Sequence, residues 1–245
     1  VTDAKDAVNY VDLRHELYFE KHAPGPDALA QGGVSVGIPM AFSVHSLWPF
    51  YSTFFHTLGA KVIPVQGVSE KGAARCESSF CYPAEIAHGM TANLLQTGAD
   101  YYFLPHFKAM PSYEQDIHAC LCPIMQGEPY YLRTAFGIDD AKILRPVLDF
   151  SEGMDRGRDA MIQVAERMGF SRVQATAAYE QAMARQIACY REGRAIGRQA
   201  IEDAKTAKRP VIVMCGRPYN AFAHEANMGI PRKFMTRGYT ILPFD

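Results

Sequence analysis

Short apolar runs alternate with longer amphipathic stretches over the first 150 residues of the chain. A short apolar run bounded by Gly or Pro is typical of a buried strand, and apolar positions three and four apart are typical of a helix. Strands that alternate with helices favour an α/β domain with a parallel sheet. The predicted strands are Val34–Gly37, Lys61–Val65, Asp100–Pro105 and Lys142–Val147, and the first of them runs into a Gly37-Ile38-Pro39 turn. The predicted helices are Ser46–Leu58, Pro83–Gln96 and one that begins at Pro123. The aromatic residues of the first helix are expected in the core. A long loop is predicted from His106 to Cys122.

The pattern changes at Ser151, where proline disappears and Ala, Arg, Gln and Glu dominate as far as Lys208. This composition predicts two long helices that are broken near residues 169–171, with Ser171 as the N-cap of the second. A new apolar run, Arg209–Cys215, then predicts a strand, and the alternation of strands and helices begins again.

The renewed pattern is a weak internal repeat. A shift of 179 residues places five residues of the first domain on identical residues near the end of the chain, at Gly37/Gly216, Pro39/Pro218, Phe55/Phe234, Gly59/Gly238 and Pro64/Pro243. The sequence therefore predicts an α/β fold with two Rossmann-like parallel-sheet domains joined by a helical segment, the second incomplete. The expected boundaries are residues 1–33 for an N-terminal helix and linker, 34–150 for a cysteine-bearing domain, 151–208 for the helical connector and 209–245 for the start of the second domain.

Composition excludes several classes of partner. A chain of 245 residues with 48% hydrophobic and 21% charged residues can bury a core, and its net charge of −1 gives no electrostatic reason to bind nucleic acid or an anionic membrane. No apolar run reaches the 18 residues of a membrane-spanning helix. The charged first residues do not have the pattern of a secretion signal, so we expect a cytoplasmic protein whose six cysteines serve metal binding or redox chemistry rather than disulfides.

Four of the cysteines fall in two loops that follow strands. Cys76 and Cys81 follow the second strand, and Cys120 and Cys122 follow the third. Loops after parallel strands meet at one edge of the sheet, where ligands bind. Cys81 and Cys122 also precede a proline typical of a first helical turn, where free N–H groups stabilise a thiolate. The alternative is a set of buried, inert thiols, and Cys189 is expected to be a helix-packing residue.

A second candidate site follows the predicted strand Arg209–Cys215. Gly216 permits a sharp turn, and Arg217, Tyr219 and Asn220 would then project at the edge of the sheet, where Arg could pair with a carboxylate or phosphate. The alternative is a structural turn. No GxGxxG or P-loop motif occurs, so the chain is not expected to bind NAD or ATP itself. His106 and His118 are the histidines that could reach the cysteines.

Taken together, these motifs resemble the 2-hydroxyacyl-CoA dehydratase superfamily, in particular its large CoA-substrate-specific enzyme activases. The resemblance covers residue 34 to the end and rests on four segments: Gly37-Ile38-Pro39 with the aromatic helix, Cys81–Gly89, Cys122–Tyr130, and Gly216–Asn220 followed by Asn227–Pro231. The resemblance implies Rossmann-like domains around an iron–sulfur cluster, either [4Fe–4S] or double-cubane. It also implies a low-potential electron from an ATP-hydrolysing activase, which in the large proteins precedes this region on the same chain, and a substrate of the acyl-CoA type.

By position, Cys81 and Cys122 match the family's cysteine ligands, Cys76 and Cys120 are additional candidates, and a further ligand is expected beyond Asp245. The sequence leaves open whether the chain is an enzyme, either a dehydratase-like lyase or a component of an ATP-dependent reductase. The alternatives are a non-catalytic electron-transfer or docking module for the activase, and an α/β protein with structural zinc. An oligomer is possible in each case.

Overall fold

The computed structural model describes residues 7–77, 81–111 and 119–245. Eight strands lie in this part of the chain: β1 Ser35–Pro39, β2 Lys61–Val65, β3 Tyr101–Phe103, β4 His106–Ala109, β5 Ile143–Leu144, β6 Val147–Asp149, β7 Val211–Met214 and β8 Thr240–Pro243. The α-helices are α1 Tyr10–Glu16, α2 Pro26–Leu29, α3 Val44–Thr57, α4 Glu70–Ala73, α5 Tyr82–Gln96, α6 Pro123–Gln126, α7 Glu128–Phe136, α8 Arg158–Arg167, α9 Arg172–Thr206, α10 Pro218–Ala221 and α11 Ile230–Met235.

The strands form parallel sheets. β2, β1, β3 and β5 lie side by side in that order, β4 pairs with β6, and β7 pairs with β8. Helices connect the paired strands, as a parallel crossover requires. The prediction of a mixed α/β fold with parallel sheets is therefore confirmed.

Aromatic side chains of α3 fill the core. Phe50, Tyr51, Phe54 and Phe55 are completely buried, as the helical spacing of the aromatic residues predicted. Phe50 packs edge-to-face on Tyr179 of α9, with ring centroids 5.3 Å apart. Each buried aromatic ring removes a large apolar area from water, so this helix contributes strongly to the core.

The predicted loop from His106 is wrong at its start, because residues 106–109 form β4. At Pro105, between β3 and β4, the chain leaves the four-stranded sheet and enters the β4–β6 sheet. The neighbouring strand makes the same change at Pro146, between β5 and β6. Each proline lacks the N–H that a ladder needs, so both strands are interrupted at the same level. The backbone N–H of His106 then donates to the carbonyl of Pro146 at 2.9 Å and the pairing resumes. The single strand predicted at Lys142–Val147 is for the same reason two strands, β5 and β6, in different sheets.

Gly37 and Gly216, which the repeat aligns, occupy different structural positions. Gly37 lies inside β1 rather than in a turn. A Cβ at this position would come within 2.4 Å of Leu94 Cδ1, which explains why the residue is glycine. Gly216 follows β7, as predicted. The order of strand, helix, positive-φ glycine and parallel strand nevertheless recurs, with Gly59 at φ 79° and Gly238 at φ 85°.

The helical connector contains one short and one long helix. α8 has 10 residues and α9 has 35. The chain turns between them at Gly169, which has φ 92°. Ser171 is the N-cap of α9 in a reciprocal capping box with Gln174, which confirms the predicted cap.

The N-terminal segment packs against the last strand of the chain. Asn9 pairs with Ile241 in a parallel bridge, and Val11 of α1 is buried with Phe222 and Ile241. The sequence predicted only a helix and a linker here. A π-helical turn, Leu17–Lys21, follows α1 and packs on α9. In the part of the chain that the structure describes, no helix combines the length and apolarity needed to cross a membrane.

Candidate cysteine site and cleft

The first pair of cysteines lies at the contact between α4 and α5. Cys76 follows α4, and its N–H donates to the carbonyl of Ala73 at 2.9 Å. Cys81 is the N-cap of α5 in an extended conformation, with Pro83 in the first turn. The two helices touch through glycines: a Cβ on Gly72 would lie 2.5 Å from Ala92 Cβ and 3.0 Å from the Cα of Gly89. Cys76 and Cys81 thus lie after the end of α4 and at the start of α5, two helices that pack closely together.

The second pair of cysteines lies in a segment that pairs antiparallel with the end of β4. Cys120 forms an antiparallel bridge with Ala109, and the N–H of Leu121 donates to the carbonyl of Lys108 at 2.9 Å. Cys122 is the N-cap of α6, with Pro123 in its first turn. Both cysteines predicted at helix starts thus occupy that position.

The pKa of Tyr131 depends on its burial and on the charges of nearby groups. Burial raises the pKa of Tyr131, and the charges of Glu128, Cys81, Cys76 and Cys122 raise it further. The ring of Tyr131 stacks on His88 of α5, with centroids 5.3 Å apart and planes 10° apart. Its hydroxyl is buried and has no hydrogen-bond partner among the described residues. A buried donor without an acceptor costs free energy, so this hydroxyl marks a place where a polar group is expected.

Cys120 differs from the other three predicted cysteines. Its side chain is exposed, and its charge acts on Lys108, whose pKa is raised first by the hydrogen bond to Asp149 and to a smaller extent by Cys120. His118 lies outside the described residues. His106 contacts Tyr130 instead of a cysteine, with Nδ1 2.9 Å from the phenolic oxygen.

The donor set fits a sulfur-ligated group in part. Among the described residues, no three His, Cys, Asp or Glu side chains form a group that could hold a metal ion. Cys81 and Cys122 at helix starts, Cys76 nearby and the unpaired Tyr131 hydroxyl have the chemistry that iron–sulfur clusters use, namely thiolates and donors to sulfur. A complete ligand set would need donors from outside the described residues.

A buried carboxyl group lies beside these cysteines. Glu128 is the first residue of α7 and is 3% exposed, and burial raises its pKa to about 8. At neutral pH the group is therefore mainly a neutral acid that can donate a proton. Glu128 and Tyr131 were not among the residues that the sequence predicted for a site; their only sequence signal is an acidic residue beside a proline at a helix start, in the Cys122–Tyr130 segment.

A large cleft of about 1190 Å³ opens next to the cysteines. Its walls come from α1, the second half of α9, the β7–β8 sheet and the β4 region of the first sheet system. Most of the lining is apolar, and the guanidinium-bearing residues Arg194, Arg198 and Arg217 also line it. Ligand pockets commonly measure about 300–1,000 Å³, so the cleft can admit a large ligand.

The Gly216 motif connects the cleft with the cysteines. Gly216, Arg217 and Tyr219 line the cleft, whereas Asn220 is exposed and does not. Tyr219 packs edge-to-face on Phe42 at 5.1 Å. Burial raises its pKa to about 12; Arg217 lowers the pKa, and Cys122 and Cys81 raise it. The charges of two cysteines from the middle of the chain thus act on a tyrosine of the motif near its end.

Comparison with known proteins gives one match. A family model described as the CoA enzyme activase uncharacterised domain (DUF2229) covers residues 35–245 of this chain. Searches of curated proteins and of solved structures returned no significant match.

Proposed function

The chain belongs to the CoA enzyme activase family, through a domain that covers residues 35–245, and we propose that it is the cluster-binding, dehydratase-like component of an ATP-coupled electron-transfer system acting on acyl-CoA-type substrates. The observation that carries this proposal is the position of Cys81 and Cys122 at the starts of α5 and α6, each with a proline in the first helical turn. Cys81 and Cys122 are the proposed metal ligands. Cys76 and Cys120 are additional candidates, and Cys76 is favoured of the two because Cys120 is exposed beside Lys108.

The two proposed ligand cysteines stand at helix starts. Each of them caps a helix whose first N–H groups have no partner within the helix. Those N–H groups can donate hydrogen bonds to the sulfurs of a bound cluster. An iron–sulfur cluster bound there, [4Fe–4S] or double-cubane, would supply one-electron chemistry at low potential, and the protein would set its position and environment.

The cleft supports a substrate of the acyl-CoA type. Coenzyme A combines phosphate groups with a long arm and an acyl group, and the lining combines Arg198 and Arg217 with apolar walls. Guanidinium groups bind phosphate through paired hydrogen bonds. Tyr219 lines the cleft, and Leu121 and Met125, on either side of Cys122 in the sequence, line it as well, so we place the thioester at this end of the cleft.

Partner contact is supported by exposed aromatic side chains at the cysteines. Tyr82, directly after Cys81, is 54% exposed, and Tyr130 is 45% exposed. Aromatic residues are enriched in protein interfaces. They suit docking of the ATP-hydrolysing activase, and they equally favour the second candidate, a module that transfers electrons or docks the activase without turning over substrate.

Anaerobic purification with iron and acid-labile sulfide analysis tests the cluster. We expect both elements in the wild-type chain and their loss in Cys81→Ala and in Cys122→Ala. Cys189→Ala is the matched control, because Cys189 is completely buried against Leu17 and Tyr18 and is not one of the proposed ligands, so this variant should retain the cluster. Zinc or no metal in the wild-type chain would overturn the proposal, and full iron retention in both site variants would overturn the ligand assignment. Conversion of an acyl-CoA in the presence of the activase distinguishes the enzyme from the electron-transfer module.

A further inference from the structure

The cleft extends along the second half of α9, beyond the point where this helix leaves the first domain. The N–H of Phe50 in α3 donates to Gln186 of α9 at 3.1 Å. One turn later the Tyr190 hydroxyl lies 3.5 Å from the carbonyl oxygen of Ser46, in the first turn of α3. α9 therefore continues past α3 after Tyr190. Its next turns line the cleft as far as Ile201, over a length of roughly 16 Å.

Two arginines lie one turn apart on this part of α9. Arg194 and Arg198 both line the cleft, and side chains four positions apart in a helix are neighbours. Arg198 forms no ion pair with a carboxylate of the described residues, and Glu202, four positions further on, pairs with Lys205 at 2.7 Å instead. Neighbouring like charges on a helix repel each other, and an anion bound between the two guanidiniums offsets that repulsion.

Glycines open the helix surface beside both arginines. Gly193 precedes Arg194, Gly197 precedes Arg198, and both glycines line the cleft. A Cβ on Gly197 would have no described atom within 4 Å, and a Cβ on Gly193 would make an ordinary contact with Leu17 Cδ2 at 3.5 Å. Packing of the described residues therefore requires neither glycine, although glycine is among the least favourable residues inside a helix. The open surface leaves room for a ligand that lies along α9 beside the arginines.

The other end of the cleft lies at the first domain and is walled mainly by apolar side chains. Tyr219 lines it and packs on Phe42, with ring centroids 5.1 Å apart. Leu121 and Met125 line it as well. An elongated ligand with phosphate groups at one end and an apolar group at the other matches this distribution of charge.

We propose that Arg194 and Arg198 bind the diphosphate of coenzyme A. The nucleotide end then rests on the surface of Gly193 and Gly197, and the pantetheine arm extends along α9 towards Tyr219. This inference rests on the proposed function, which places an acyl-CoA-type substrate in the cleft, and it adds the direction in which the substrate lies. Guanidinium groups bind phosphate oxygens through paired, charge-assisted hydrogen bonds.

Calorimetric titration with coenzyme A and with pantetheine, which lacks the phosphates and the nucleotide, tests the arginines. We expect Arg198→Ala to weaken coenzyme A binding about tenfold or more, because a charge-assisted hydrogen bond is lost. Pantetheine should bind more weakly than coenzyme A, and equally to wild type and Arg198→Ala. Arg185→Ala is the matched control, because Arg185 is an exposed arginine of α9 that is not among the residues lining the cleft, so this variant should bind both compounds as wild type does.

Gly197→Leu tests the open surface independently of charge. The leucine side chain has space in the free chain and occupies the place of the ligand, so coenzyme A binding should weaken at least tenfold. The melting temperature of the ligand-free variant should stay constant or rise, because leucine is the better helix former. This combination distinguishes a blocked site from a damaged fold.

Four results would overturn the inference. They are equal coenzyme A affinity in wild type and Arg198→Ala, unchanged affinity in Gly197→Leu, a wild-type chain that binds no coenzyme A, and pyrophosphate that binds as tightly as coenzyme A, which would indicate a general phosphate site. The proposed function fails separately. Iron and sulfide analysis without a cluster, together with coenzyme A binding that depends on Arg198, would end the proposed function and leave the phosphate site. A cluster, together with coenzyme A binding that is independent of Arg198, would do the reverse.

Discussion

Glu128 and Tyr131 are polar side chains of α7, and burial raises the pKa of both. The carboxyl group of Glu128 is removed from water at the first position of α7, and burial is the one cause of its raised pKa. A carboxylate there would lack the compensation that paired or hydrogen-bonded carboxylates have. The site therefore holds a neutral proton donor at pH 7, next to groups proposed to bind a metal.

We expect Glu128→Gln to change the pH dependence of stability. The pKa in the folded chain, about 8, lies above the ordinary 4.5, so the folded state keeps a proton that the unfolded state releases between these values. Stability is therefore lost as the pH rises from 4.5 to about 8. The neutral amide avoids this loss, so the variant should match wild type near pH 5 and exceed it by on the order of 4 kcal/mol at pH 9. Urea unfolding at both pH values measures the difference, and an equal pH dependence in the two proteins would contradict it.

At the scale of elements, the approach of α4 to α5 sets the position of Cys76 relative to Cys81. Gly72 and Gly89 lie where the two helices pack most closely. A Cβ added to either glycine would come within about 2.5 Å of a neighbouring atom. Gly89 would meet Val68 Cγ1 at 2.4 Å, and Gly72 would meet Ala92 Cβ at 2.5 Å. Small residues let these helices pack at short range, and overpacking such a contact moves the backbone.

We expect the same substitution, Gly→Ala, to have opposite effects in two helices. Gly72→Ala should destabilise the chain by about 1–3 kcal/mol, because the new methyl group clashes with α5. Gly197→Ala in α9 is the control: no atom lies within 4 Å of its Cβ, and alanine is the better helix former, so stability should rise by about 0.5–1 kcal/mol. Chemical denaturation of both variants measures this, and a Gly72→Ala chain as stable as wild type would show that α4 can move freely.

At the scale of the whole molecule, Arg14 joins the N-terminal segment to the end of the chain. Its guanidinium is almost completely buried, and its Nε donates to Asp245 Oδ1 at 2.8 Å. It also donates to the carbonyl of His45 at 3.1 Å and lies 4.0 Å from the ring of Tyr18 and 4.9 Å from that of Phe222. One side chain thus holds α1, α3 and the β7–β8 sheet in the arrangement that forms the cleft.

We expect Asp245→Asn to loosen this arrangement. Arg14 is buried and Asp245 is the more exposed partner, so removing the carboxylate charge weakens a charge-assisted hydrogen bond at the cost of about 1–3 kcal/mol. Amide hydrogen exchange of α1 should become faster, and the melting temperature should fall. Glu202→Gln is the control, because its ion pair with Lys205 is exposed and its loss should cost less than about 1 kcal/mol. Unchanged exchange in α1 after Asp245→Asn would show that the ion pair does not secure the segment.

The sequence by itself determined the features that depend on neighbouring residues. Proline in the first turn marked the starts of α5 and α6, the Ser171–Gln174 pair marked the start of α9, and aromatic spacing marked α3 as core. These signals are local, since a helix cap or a helical period involves residues within four positions of one another. The same motifs indicated the CoA enzyme activase family, while the cluster, the ligand roles and the domain boundaries stay predictions.

Only the tertiary structure decided which distant segments meet. β4 exists because residues 106–109 find a partner about forty positions later, and the prolines at 105 and 146 end both strands at one level. The bond between Arg14 and Asp245 joins residues 231 positions apart, and Tyr131 is recognised as unpaired only once the packing around it is known. Such contacts depend on burial and on mutual distance in the folded chain, and no periodicity or local motif encodes either quantity.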